Sequence, residues 1–160
     1  MNGKQFEDCF KNSCKMNCLC VERLYDTAAG RVGLANICDF VAYSYPVVGF
    51  IECKAVKGKS LPISNISQKQ FSGLLEKCTF KGVLAGFLIY FYEQDLVYFI
   101  TAKDLSIHLN KSNKASINIT ELDELCDKNI SYEVPFTKKR VNIVMNVRRL
   151  FEWFQSKNLT

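Results

Sequence analysis

Residues 47–58 read VVGFIECKAVKG, an apolar run with strand character that carries Glu52 and Lys54 in its middle. Side chains two apart on a strand leave the same face. A carboxylate and an ammonium therefore project side by side from the middle of a sheet. Taking an unpaired charge out of water is costly, so these groups need partners. An ion pair on a solvated sheet face is one solution. A site that holds a metal ion is the other.

Upstream, ICDFVAY (residues 37–43) predicts a strand that precedes the Glu52 strand, and Asp39 is the one aspartate within it. Asp39, Glu52 and Lys54 then form an Asp-x12-Glu-x-Lys pattern across two adjacent strands. Two carboxylates from neighbouring strands suit Mg²⁺, which binds through a few carboxylates and keeps several waters. Such a metal lowers the pKa of a bound water and steadies charge on a phosphate under in-line attack. A lysine beside it orients the nucleophile or neutralises developing charge. Spacing alone leaves the ion pair and the metal site both open.

The rest of the chain frames this pattern. At 160 residues it suits one domain, and 48% hydrophobic with 12% aromatic residues makes it globular rather than disordered. Phe6, Cys9, Phe10, Ser13, Cys14 and Asn17 trace one helical face at the N-terminus. Gly30 and Gly33 mark a loop, and KGKSLPISN a basic loop after the Glu52 strand. Ser67 caps a helix through Cys78, and two apolar strands follow around the hairpin turn EQD. AKDLSIHL predicts a helical turn, and Thr120 with Asp123 resembles a capping box for a short helix to Cys126. VNIVMNVRRLFEWFQSK predicts a final amphipathic helix. The expected order is α-β-β-α-β-β-α, an α/β fold with a mixed sheet flanked by helices.

The longest apolar run, Gly82–Tyr92, is too short to span a bilayer, and the charged N-terminus lacks a signal-peptide core. A single cytoplasmic domain over residues 1–160, with no membrane partner, is the expectation. The net charge of +5 permits a polyanionic partner without requiring one, with basic clusters at 54–59, 137–140 and 148–149. Cys9, Cys14, Cys18 and Cys20 crowd one segment without a CxxC pair, and the single histidine, His108, is distant. Reduced thiols acting as small hydrophobes explain them more simply than zinc or an iron–sulfur cluster.

The Asp–ExK arrangement resembles the PD-(D/E)xK nuclease superfamily and its restriction-endonuclease-like core. The resemblance is nearest to RecU-type Holliday junction resolvases. There a strand of the form FEAKE precedes a proline-containing loop and a helix with a functional glutamine. FIECKAVKGKSLPISNISQKQF (residues 50–71) is similar to that layout, and the residue eight after Pro62 is Gln70. FLIYFYEQDLVYFITAKDL (residues 87–105) resembles the hairpin and AKDL turn of the family, and GKQFEDCFK its first helix, including Glu7.

The resemblance implies an endonuclease that resolves four-way DNA junctions by paired symmetric nicks as a homodimer, using Mg²⁺ or, in its place, Mn²⁺. It implies that Asp39 and Glu52 bind the metal, that Lys54 stabilises the transition state and that Gln70 completes the site, with Gln68 the competing glutamine and Glu7 a weaker ligand. Lys57, Lys59 and Arg31 are the basic residues placed to contact the DNA backbone, with Arg23, Lys138, Lys139 and Arg140 next in order. Ile37 stands where the family has a threonine, and Cys38 where it has the motif proline. Residues 23–37 leave room for only a short loop in place of the long β-stalk, as in a stalk-poor, phage-like relative. Another PD-(D/E)xK endonuclease of restriction or repair type, and a non-cleaving DNA-binding module, are the alternatives.

Overall fold

The computed structural model describes residues 1–25 and 36–158. Helix α1 (Gly3–Met16) buries Phe6, Cys9, Phe10, Ser13 and Cys14, the face its spacing predicts. Asn2 and Gln5 cap its start reciprocally, each side chain taking the other's N–H, so two orphan donors are satisfied. Strand β1 (Cys20–Arg23) follows, then β2 (Phe40–Ser44) and β3 (Val47–Val56), the latter two joined through a cis Tyr45–Pro46 bond. A short strand β4 (Ser60–Pro62) and a 3-10 turn (Ile63–Asn65) lead to helix α2 (Gln68–Lys77). The hairpin of β5 (Val83–Phe91) and β6 (Leu96–Thr101) runs into helix α3 (Ala102–Ser112). The chain ends with β7 (Ser116–Asn118), α4 (Ile119–Asp127), β8 (Ser131–Glu133), β9 (Phe136–Lys139), β10 (Asn142–Met145) and α5 (Val147–Asn158).

The central sheet is six-stranded, in the order β1-β2-β3-β5-β6-β8. β3 and β5 pair in parallel and the other neighbours antiparallel, so the sheet is mixed. Apolar clusters cover both faces. Phe6, Phe10, Phe40, Ile51, Leu88, Phe99 and Phe151 fill the α1–α5 side, and Leu74, Phe87, Ile89, Phe91, Ile100 and Leu105 the α2–α3 side. β5 alternates between the two clusters, which is why its sequence is one unbroken apolar run. Gly86 is required there, because a Cβ would meet the Ile100 carbonyl oxygen at 2.2 Å. No helix among the described residues is long and apolar enough to cross a membrane.

The expected α/β architecture of a mixed sheet between helices is present, and several local expectations change. Asp39 lies at a bend just before β2 rather than inside a strand from residue 37. Residues 142–145 form β10 and the last helix begins only at Val147, because the β-branched run pairs with β9 instead of coiling. The cap of α4 is Asn118 with Glu121, not Thr120 with Asp123. Asp123 instead accepts the Tyr98 hydroxyl at 2.5 Å. The segment expected as a basic loop contains β4, which pairs with β7. Arg31, with Gly30 and Gly33, lies outside the described residues.

Candidate active site

Strand alternation sends Ile51 and Cys53 into the α1 side of the core and Glu52 and Lys54 toward α2. Glu52 is only 2% exposed. Its Oε1 accepts the Lys54 ammonium at 2.7 Å and the Gln70 amide Nε2 at 2.7 Å. Gln70 reaches this point because it is the third residue of α2. Its backbone N–H bonds the Ser67 hydroxyl, and its Oε1 accepts the Ser67 N–H at 3.2 Å and faces Lys54 Nζ at 3.4 Å. One side chain thus caps a helix and braces both charges of the strand. Gln68, the competing glutamine, is exposed at the helix start.

Asp39 is half-buried, and its Oδ2 accepts the Cys53 N–H at 2.8 Å. β2 begins only after Asp39, whose carboxylate takes the Cys53 N–H in place of a backbone carbonyl. The backbone of the Glu-x-Lys strand therefore fixes the aspartate beside Glu52. No sequence signal marks the Cys53 amide for this role, since every residue but proline offers one.

The electrostatics follow from that crowding. Burial and then the neighbouring Asp39 carboxylate push the Glu52 carboxyl up to about 7, against the pull of Lys54. Burial and Asp39 also raise the Glu7 carboxyl, with Arg23 opposing. Glu52 Oε2 is buried with no hydrogen-bond partner. A buried carboxylate oxygen without a donor, next to a second carboxylate, is unfavourable unless a cation or a proton lies there.

A hard divalent cation fits these oxygen donors, which is the chemistry of magnesium rather than of a thiolate metal. Among the described residues no group of three or more His, Cys, Asp or Glu side chains gathers at metal-ligand spacing. Asp39 and Glu52 stand as a pair, and the Glu7 carboxylate is held by the Arg23 guanidinium, which also lies 3.8 Å from Asp8. Glu7 and Arg23, singled out separately by sequence, are thus each other's partner. Of the crowded cysteines, Cys9 and Cys14 are buried in the α1 core while Cys18 and Cys20 are exposed. Burial pushes the Cys14 thiol up to about 12, which suits a packing role.

The basic residues divide by place. Lys57 and Lys59 are exposed on the loop that leaves β3, directly beyond Lys54. Lys138 is held by Asp95 at 2.7 Å, whereas Lys139 and Arg140 are exposed at a hairpin tip. Gln70→Ala removes the cap and the Glu52 bond together. It is expected to lower the unfolding free energy by roughly 1–3 kcal/mol, read from urea titrations of the metal-free protein. A change within error would mean that these bonds add nothing in solution.

The family model for RecU, recombination protein U, matches residues 29–157 of this chain. The chain belongs to the RecU family. RecU-family proteins are Holliday junction resolvases, and this chain is accordingly an endonuclease of that kind. The match spans every residue of the Asp39, Glu52, Lys54 and Gln70 cluster. Among solved structures, Hjc from Archaeoglobus fulgidus, a Holliday junction resolvase from an archaeal hyperthermophile, aligns with a TM-score of 0.53 at 18% identity, covering 74% of this chain and 90% of that one. At that identity the likeness is one of fold, and it matches the mixed sheet between helices seen here. No curated protein matches the chain. Resolvases of this kind use divalent metal ions, in keeping with the oxygen donors on the RecU-family core.

Proposed function

We propose that this RecU-family resolvase cuts four-way DNA junctions by Mg²⁺-dependent paired nicks, with Asp39, Glu52, Lys54 and Gln70 as its site. The observation that carries this reading is Glu52 Oε2, buried without a donor beside a second carboxylate and within the reach of a lysine. Asp39 and Glu52 would hold the metal, with Mn²⁺ able to replace Mg²⁺. Bound there, the metal supplies an activated water and a counter-charge for the phosphate.

The chain's own groups do the rest. The Cys53 amide fixes Asp39, and Gln70 fixes Glu52, so neither carboxylate has to be ordered when substrate arrives. The Lys54 ammonium stands on the same strand face and meets the negative charge that grows on the phosphate as water attacks and one bridging P–O bond breaks. Gln70 keeps that ammonium from folding away. Glu7, ion-paired with Arg23 and close enough to feel the Asp39 charge, would be the reserve ligand should Arg23 turn to a phosphate. Lys57 and Lys59 are placed to follow the DNA backbone away from the cut. Arg31 belongs to the same backbone set by sequence. Two symmetric nicks need two sites, so the working assembly is a two-fold homodimer.

The test offers a synthetic four-way junction, a linear duplex and a single strand with Mg²⁺ or EDTA. Paired nicks confined to the junction and dependent on metal are expected. Equal cutting of the linear duplex would favour a restriction or repair endonuclease, and binding without cutting in Mg²⁺ or Mn²⁺ a module that has lost cleavage.

A further inference from the structure

β9 and β10 form a two-stranded ribbon of their own, outside the central sheet. The base of this ribbon is firmly seated. Ile143 and Met145 are buried in the α1 core, and the Met145 N–H bonds the Ser13 hydroxyl at 2.9 Å. Phe136 packs edge-on to Tyr90 with ring centres 5.9 Å apart. Lys138 reaches both carboxylate oxygens of Asp95, at 2.8 and 2.7 Å. Asp95 lies in the turn between β5 and β6, where the Tyr92 N–H bonds the Val56 carbonyl at the end of β3 at 3.1 Å. The ribbon is therefore fastened beside the end of the strand that carries Glu52 and Lys54, the end from which Lys57 and Lys59 also project.

The tip breaks the rules of its own turn. Lys139 pairs with Asn142, which leaves Arg140 and Val141 as a two-residue loop. Such loops favour Asn-Gly, or glycine at the first position, because positive φ is needed there. Here Arg140 takes φ +56°, and the β-branched Val141 beside it is 78% exposed. Arg140 holds the positive φ without being the glycine that position favours, and neither it nor Val141 is buried in the core. Lys139 and Arg140 are exposed and form no ion pair among the described residues. Residues that break a local rule on a rigid support, without a packing gain, are those kept for contact. An apolar side chain flanked by two open cations complements DNA, with phosphates for the charges and a base face for the valine.

We propose that the β9–β10 tip engages the branch point of the junction, with Val141 against a base unstacked at the crossover and Lys139 and Arg140 on the flanking phosphates. The proposal rests on the junction-resolvase reading and names the surface that selects the branched substrate. A duplex arm stacks its bases and gives Val141 nothing to meet. A branch point does.

Only Arg140 takes positive φ, so the double variant Arg140→Gly/Val141→Asn supplies the residues the turn prefers and removes both contacts, and it is expected to melt no lower than wild type. Binding is measured in EDTA, where no DNA is cut. The variant is expected to lose roughly tenfold in junction affinity, equivalent to about 1.4 kcal/mol, while linear duplex binding falls much less. A 2-aminopurine at the crossover is expected to brighten when wild type binds and to stay dark with Val141→Ser. Arg140→Gly is expected to reduce the slope of log affinity against log salt by about 1. Wild-type junction affinity in the double variant, or equal losses on junction and duplex, would overturn the proposal. Either result leaves the catalytic reading standing, because that reading is decided separately by the loss of cutting in Lys54→Ala.

Discussion

Lys54→Ala is expected to cleave a four-way junction at least about 10³-fold more slowly than wild type. Its affinity for the junction in EDTA is expected to stay within about threefold, since one contact among many phosphate contacts is lost. The reason lies in how the ammonium is held. Lys54 Nζ is fixed at 2.7 Å from Glu52 and 3.4 Å from Gln70 and is mostly shielded from solvent. A charge positioned before the reaction stabilises the transition state without reorganisation, and its deletion acts on turnover rather than on binding. Loss of an ion-pair partner also unsettles a fold, so a second variant is needed. Lys54→Arg keeps the charge opposite Glu52 but replaces a compact ammonium with a planar fork that does not fit the same point. It is expected to fold and bind, yet to cut at least about tenfold more slowly. Near-normal cutting by both variants, with wild-type melting, would reduce Lys54 to a structural partner of Glu52.

What the sequence made legible here has a physical pattern. Glu52 and Lys54 stood out because charges are rare on a strand whose other members are apolar, and the structure places both on one face with a glutamine between them. Gln70 was reachable only through the resemblance to the RecU layout, although Ser67-x-x-Gln70 is a capping box whose signature marks the helix start where it sits. The β5–β6 hairpin was plain because a strand buried on both faces has nothing polar to confuse its period. Failures came where backbone, not side chain, decides. Asp39 leaves the strand because it takes the Cys53 N–H, a donor that any residue there would supply. Cys20–Arg23 is too short to carry a period, and VNIV beside an amphipathic helix is as compatible with a first helical turn as with β10. The Glu7–Arg23 pair joins two elements whose contact no spacing announces. The fold was therefore readable from its buried strands, and the candidate cluster from its misplaced charges. The short edge pieces that brace both were not.

Mg²⁺ is expected to raise the melting temperature of the wild-type protein in the absence of DNA, and Asp39→Asn and Glu52→Gln are each expected to abolish that rise and cleavage together. A ligand that binds only the folded state at ten times its dissociation constant adds about 1.4 kcal/mol. The pH dependence has a definite sign. In the metal-free protein the Glu52 carboxyl is raised from 4.5 to about 7 by burial and Asp39. The folded state then holds a proton that the unfolded chain has released, so the contribution of Glu52 to stability is complete below pH 4.5 and is lost as pH rises to about 7. Metal and proton compete for the same oxygens, so the Mg²⁺-induced rise is expected to be small at pH 5 and to grow through pH 7. Glu52→Gln has no proton to lose there, and its metal-free stability is expected to be flatter than that of wild type between pH 5 and 8. Thermal melts across this range with Mg²⁺ or EDTA decide the matter without any cleavage assay. An undiminished Mg²⁺ effect in both variants would place the metal elsewhere. An effect lost in Asp39→Asn but kept in Glu52→Gln would make Asp39 the anchor and leave the unpaired oxygen of Glu52 for the attacking water.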